Sequence, residues 1–238
     1  MPLPRLPPMS RILLIETSTS LCSVALADGE RIAASRESTE PRAHAAMTAP
    51  FVKEVLDECG LKAGELDAVC VSAGPGSYTG LRVGVSTAKG ICFAAGIPLL
   101  SVGTLALLVH QARANGWLPE GCHRVLPMID ARRMEVYTAV FTPEGEQLTE
   151  IQPQVITAES FRAERDAGPV LVVGDGAGKC REILAGPQVS FVQACPTASG
   201  MLRPALQEFA AGHWRDVAYF EPFYLKDFVA TVSRKKLF

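Results

Sequence analysis

VCVSAGPGSYTGLRVGVSTAKGICFAAG, Val69 to Gly96, is the stretch on which the reading of the fold turns. Val69, Cys70 and Val71 form a short apolar run suited to a buried strand. Ser72-Ala73-Gly74-Pro75-Gly76-Ser77 extends neither strand nor helix, because Gly and Pro interrupt both. Thr79 is expected to cap a helix that runs on toward Gly96. Along that helix Gly80, Gly84 and Ala88 fall four residues apart, a bare stripe down one side. Glycine inside a helix costs roughly 1 kcal/mol relative to alanine. The stripe therefore implies close approach of another backbone, from this chain or from another.

A glycine-rich turn leading into a helix N-terminus suits an anion, since free N–H groups and the helix dipole point there. Gly74, Gly76 and Ser77 would supply that loop, which reads equally as a tight βα connection. Neither common nucleotide motif fits. The dinucleotide fingerprint fails by one residue, because Gly80 stands where position 79 would have to be glycine. The P-loop fails because Leu81 and Arg82, not Lys and Ser/Thr, follow the last glycine.

On the N-terminal side, Arg11 to Glu16 (RILLIE) reads as an apolar strand ending in an acid. Leu21 to Ala27 and Arg31 to Ser35 form a hairpin about Asp28-Gly29. A helix over Ala43 to Cys59 ends at Gly60. On the C-terminal side, Pro98 to Ser101 is a strand and Gly103 to Ala114 a helix. Val125 to Asp130 (VLPMID) then repeats the strand-ending-in-an-acid pattern. Arg133 to Phe141 and Gln147 to Gln152 make a second hairpin around Pro143-Glu144-Gly145. A helix near Ala158 to Glu164, strands Val170 to Val173 and Val189 to Val192, a short helix after Gly174, and a helix Ala198 to Ala211 complete the order. The class is α/β, with mixed sheets flanked by helices. The restart predicts a duplicated fold: a leader over 1–10, one lobe over 11–102, a second over 103–225, and a tail over 226–238.

Composition bounds the function. The chain has 238 residues, 48% hydrophobic, with net charge -2, which argues against strong nucleic-acid binding by this chain alone. Seven cysteines without a C-x-x-C pair fit reduced thiols in the cytoplasm, and four scattered histidines disfavour zinc. No apolar run reaches transmembrane length. Glu16, followed by Thr17-Ser18-Thr19, and Asp130 could hold Mg²⁺ across a cleft, or each could cap a turn. Asp175, in the Gly174–Gly176–Gly178 loop, reads as an N-cap or a phosphate-loop acid. Arg82 and Lys89 face a partner, an anion or solvent. Ser72 and Ser77 lie in the turn, and no histidine near them in sequence suggests a base.

Ile12 to Leu26 (ILLIETSTSLCSVAL), Ser72 to Gly90 (SAGPGSYTGLRVGVSTAKG) and Ile129 to Phe141 (IDARRMEVYTAVF) together resemble the TsaB (YeaZ) family. Gly174 to Lys179 and Pro222 to Ala230 support the match, which spans about residues 11 to 230. The resemblance implies two ribonuclease-H-like lobes of the sugar-kinase/Hsp70/actin (ASKHA) type. It implies a cytoplasmic, non-catalytic subunit for threonylcarbamoyladenosine formation in tRNA, paired with a TsaD-type catalytic subunit through first-lobe helices. A TsaE-type ATPase joins the pair, tRNA is bound through the complex, and ATP and Mg act in the complex rather than on this subunit. Catalytic members carry H-x-x-x-H on the early helix; here His44 is followed by Thr48 in place of the second histidine. On this reading the interface, with TsaD or with a second copy, is expected at His44, Met47, Phe51, Gly80, Arg82, Gly84, Thr87 and Ala88. The alternative is an ATP-dependent phosphotransferase or ATPase of the same fold, with Glu16, Asp130 and the Gly174 loop around the nucleotide. A glycoprotease is the remote alternative.

Overall fold

In a computed structural model, residues 10–40 and 43–225 are described, so the expected tail and all of the expected leader but Ser10 lie outside the described residues. β1 (Arg11–Glu16), β2 (Cys22–Asp28) and β3 (Arg31–Ser38) are antiparallel, with Gly29 at φ 58° in the turn that joins the last two. α1 (Ala43–Glu58) leads to β4 (Ala68–Gly74), which runs parallel to β1; α2 (Tyr78–Ala95) crosses over to β5 (Leu99–Gly103), parallel to β4. The sheet order is β3-β2-β1-β4-β5. Leu13 and Ile15 pack with Val55, Val85 and Ala88 on one face, and Ile12 and Leu14 with Leu107, Met201 and Leu206 on the other. A strand covered on both sides explains an apolar run with no alternation.

The second sheet repeats this plan. α3 (Thr104–Ala114) precedes β6 (Arg124–Asp130), β7 (Glu135–Thr138) and β8 (Gln152–Val155), which are antiparallel. After α4 (Arg162–Ala167), β9 (Val170–Gly174) lies parallel to β6. α5 (Ala177–Leu184) then crosses to β10 (Val189–Gln193), parallel to β9. The order β10-β9-β6-β7-β8 is that of the first sheet. A 3₁₀ turn, Ser199–Met201, opens α6 (Leu202–Ala211).

Several expectations need correcting. The hairpin of the second half is shorter and later than its alternation suggests. Arg132 and Arg133 adopt φ 71° and 52°, so β7 begins only at Glu135. The returning strand is Gln152–Val155, while 139–151 is a loop held by single bridges of Phe141 to Val125 and Gln147. Residues 103–225 are not one packing unit either. Ala198, Met201, Ala205 and Leu206 join the core beneath the first sheet, and Arg215 bridges Leu99. α3 serves both halves, Leu107 facing the first sheet and Leu105, Leu108 and Val109 the second.

Gln111 fastens this return. Buried on α3, its Nε2 donates to Cys195 O at 2.9 Å, and its Oε1 accepts from Thr197 N at 2.9 Å and Thr197 Oγ1 at 3.1 Å. Each buried group left unpaired costs about 1–3 kcal/mol. Gln111→Ala is expected to lower stability by about 2–4 kcal/mol in urea unfolding; an unchanged midpoint would show that residues 195–200 hold without it.

Candidate functional site

The turn after β1 and the start of α2 are built into one another. Ser77, not Thr79, caps α2: its Oγ accepts from Gly80 N at 3.3 Å, and its own N donates to Ser18 O at 2.6 Å. Thr17 Oγ1 donates to Gly80 O at 2.8 Å. A side chain at Gly76 would strike Ser18, and one at Gly80 or Gly84 would strike Thr17. Gly74 (φ 104°) is covered by the Phe223 carbonyl, and Phe223 N donates to Ala73 O at 2.7 Å. The loop expected to cradle an anion thus leans on its own chain: Gly74 is covered by Phe223 and Gly76 by Ser18, while Ser77 is exposed and spends its N–H on Ser18 O. The stripe of Gly80, Gly84 and Ala88 is buried for the same reason and offers no outward surface.

The second half repeats the arrangement. Gly174 (φ 136°) and Gly176 leave no room for a side chain against Met128, and Gly176 N donates to Met128 O at 3.0 Å. Gln193 seals the loop, its Oε1 accepting from Gly178 N at 2.5 Å and its Nε2 donating to Asp175 O at 2.7 Å. Asp130 is engaged as well: its carboxylate meets Lys179 Nζ at 2.5 Å and accepts from Arg132 N at 2.7 Å. Its own N donates to Asp175 Oδ1 at 2.9 Å. Asp130 is therefore an ion-paired turn residue, and Asp175 neither caps α5 nor lines an open phosphate loop.

Glu16 is fully buried. Its Oε1 accepts from Ser18 N at 2.5 Å, while Oε2 finds no hydrogen-bond partner. It pairs with Ser23 across β1–β2, and Ser23 in turn pairs with Glu37 across β2–β3, accepting from Ala198 N at 3.0 Å. Burial raises the Glu16 carboxyl to about 7, with bonds to Ser18 opposing and Asp175 adding to the rise. Burial, with Asp130 adding, likewise raises Asp175 to about 6. A sealed, half-neutral carboxyl with one oxygen turned to no donor is a poor divalent-cation ligand, because such ions require several ionised or carbonyl oxygens. Among the described residues no group of His, Cys, Asp and Glu could hold a metal ion. A protease site finds no support in the histidines: His123 bonds Glu164 O, His213 meets Glu208, and His44 Nε2 is buried without a partner.

In the sequence, Gly90 and Ala94 stand as smaller gaps on α2, but nothing there separates the outward side of α1 and α2 from the buried stripe. Of the residues expected at an interface, Phe51, Gly80, Gly84 and Ala88 are core, and His44, Met47 and Thr87 are half-buried. Arg82 is exposed, lying 4.7 Å over the Tyr78 ring, which itself stacks on Tyr224 at 4.9 Å. The open surface consists instead of Ala45, Ala46, Ala49 and Pro50 on α1 and Ser86, Gly90, Phe93 and Ala94 on α2. Phe93 is 85% exposed, and space around Gly90 is empty to 4 Å. A helical glycine was legible at position 90 in the sequence, but only the structure shows that a side chain there would meet nothing within 4 Å among the described residues.

Glu16 sets a pH test. The folded chain keeps its proton to about pH 7, whereas the unfolded carboxyl releases it near 4.5. The folded state thus binds more protons between those values, and stability falls as pH rises through that window. Glu16→Gln is expected to flatten the fall, which amounts to on the order of 2–3 kcal/mol, leaving a smaller slope from Asp175. Equal slopes in wild type and variant, from urea unfolding at pH 5 to 8, would rule out Glu16 as the source.

Comparison with known proteins agrees with this geometry. Residues 35–232 match the family model described as TsaD: tRNA N6-adenosine threonylcarbamoyltransferase. The tRNA threonylcarbamoyladenosine biosynthesis protein TsaB of Escherichia coli is 33% identical, over 92% of this chain and 96% of that protein. Its counterpart of Haemophilus influenzae is 30% identical over 95% and 96%. The structure of YeaZ from Pseudomonas aeruginosa superimposes with a TM-score of 0.77 at 31% identity, covering 91% of this chain and all of that one. Sealed strand-end turns, one topology used twice and similarity running the length of the relatives lead to one conclusion: the chain belongs to the TsaB family.

Proposed function

We propose that this chain is the non-catalytic partner subunit of a complex that forms threonylcarbamoyladenosine in tRNA, at the adenosine beside the anticodon. It pairs with a TsaD-type transferase subunit. A TsaE-type ATPase joins them, and ATP and Mg act in the complex. The observation that carries the reading is the outward face of α1 and α2, uncharged from Ala45 to Pro50 and from Ser86 to Ala94 apart from the half-buried Lys89, with small residues around the exposed Phe93. Gly90 gives that face its meaning. It sits inside a helix, where glycine costs roughly 1 kcal/mol, and a side chain added there would meet nothing within 4 Å among the described residues. The TsaD model matches most of this chain, so a transferase subunit offers a similar helix pair. Two like pairs then meet about a pseudo-twofold axis as a four-helix bundle, and in the absence of the partner a second copy fits the same face. The phosphotransferase alternative is less well supported, because both strand-end glycine turns are closed against their own lobes.

Gly90→Arg is expected to keep the fold, since it adds a side chain over open space, and to abolish co-purification with the TsaD-type subunit. Gly84→Leu acts differently: it collides with Thr17 and is expected to destabilise the chain itself by about 2–4 kcal/mol. A Gly90→Arg chain that still assembles with the transferase subunit, and supports threonylcarbamoyl transfer to unmodified tRNA, would overturn the interface. Transfer by this chain without the TsaD-type subunit would overturn the function.

A further inference from the structure

The turn between β6 and β7 is built against its own backbone preference. Arg132 and Arg133 take φ 71° and 52°, a region where side-chain-bearing residues are strained and glycine is not. Both side chains are exposed. Lys179 holds the turn from beneath: its ammonium meets Asp130 Oδ1 at 2.5 Å, Arg133 O at 2.8 Å and Glu135 O at 2.7 Å. Arg132 N bonds Asp130 Oδ1 at 2.7 Å, and Glu135 N bonds Arg132 O at 3.2 Å. Lys179 thereby pairs with Asp130, the acid that holds the turn, and the two guanidiniums stand exposed at its tip. Arg36 pairs with Glu54 and Glu58, Arg162 with Glu159 and Asp166, and Arg215 with Glu208; Arg31, Arg113 and Arg203 are exposed singly, whereas Arg132 and Arg133 stand side by side on one held turn. Among the described residues no acid pairs with Arg132 or Arg133.

We infer that Arg132 and Arg133 form a phosphate clamp for the backbone of the tRNA, placed on this subunit rather than on its catalytic partner. The inference rests on the proposed function. A planar guanidinium donates two parallel N–H bonds to phosphate oxygens, a fork that a lysine ammonium does not offer. The turn is fixed beforehand by Lys179 and Asp130, so little freedom is lost on contact. A protein partner is the weaker choice. Interface arginines act in desolvated pockets among apolar groups, whereas this pair stands at an exposed tip. Contacts to a nucleic-acid backbone are electrostatic and tolerate that exposure. A net charge of -2 fits a local clamp supplementing the partner's surface rather than a tRNA-binding face of its own.

The test is tRNA binding by the assembled complex across a salt series, with the double variant Arg132→Gly/Arg133→Gly. Glycine suits both backbone angles, so the turn relaxes while the charges go. Affinity at low salt is expected to fall roughly tenfold, and the slope of log affinity against log salt to drop by about 1.4–1.8, the share of two phosphates. Arg132→Lys/Arg133→Lys should keep most of the slope while losing part of the affinity. Unchanged affinity and slope in the glycine variant would overturn the clamp. So would loss of the transferase subunit from that variant with tRNA binding otherwise intact, since the arginines would then serve a protein. If the wild-type chain fails to assemble with a TsaD-type subunit, the functional reading falls instead. Gel shifts of the isolated wild-type and glycine-variant chains on tRNA then decide the clamp by the same difference.

Discussion

The seating of α2 on the turn that follows β1 is the contact on which the rest of the chain depends. Gly76, Gly80 and Gly84 bring the helix onto the Thr17 and Ser18 backbone at a distance no larger residue permits. Ser77 N to Ser18 O and Thr17 Oγ1 to Gly80 O then lock it there. Three glycines in or beside one helix are unfavourable for the isolated helix. Here they are offset by bonds satisfied on both sides and by Val85 and Ala88 reaching the core with Leu13 and Ile15. The position of α2 in turn determines which of its sides faces outward beside α1.

The second half uses the same device on a smaller scale, with Gly174 and Gly176 against Met128 and Gln193 closing the loop. In both halves the glycine-rich turn lies at a strand end, where a phosphate cradle would sit in an open α/β fold. In both halves it is closed by the chain itself. Glu16 ends up buried and Asp175 half-buried, both with raised carboxyl pKa values, an arrangement that disfavours charge rather than gathering it. What the chain leaves exposed lies elsewhere, on a pair of helices and a hairpin tip.

Those two surfaces differ in chemistry. The helix face is small and apolar, suited to close packing against a similar pair. The hairpin tip is polar and cationic, held by Lys179 on Asp130 instead of by burial. On the proposed role, the two surfaces would serve separate contacts, held at fixed positions relative to one another. α3 and the Gln111 bonds to residues 195–197 supply that rigidity by joining the two sheets.

The amino-acid order alone determined the α/β class, the restart of the strand-and-acid pattern at Val125, and the need for a close neighbour along α2. Each follows from local rules: apolar runs, turn residues and the helical cost of glycine. It left open which glycine met which neighbour. Gly84 and Gly90 are the same residue on the same helix, yet one touches Thr17 and the other touches nothing. Helical periodicity groups residues by face but does not say which face its own sheet will take. The left-handed turn at Arg132 and Arg133 was likewise invisible, because its support comes from Lys179, 49 residues from Asp130. Contacts across such separations exist only once the chain has folded, and tertiary structure alone decided which groups became core, which became bonds, and which were left to meet a partner.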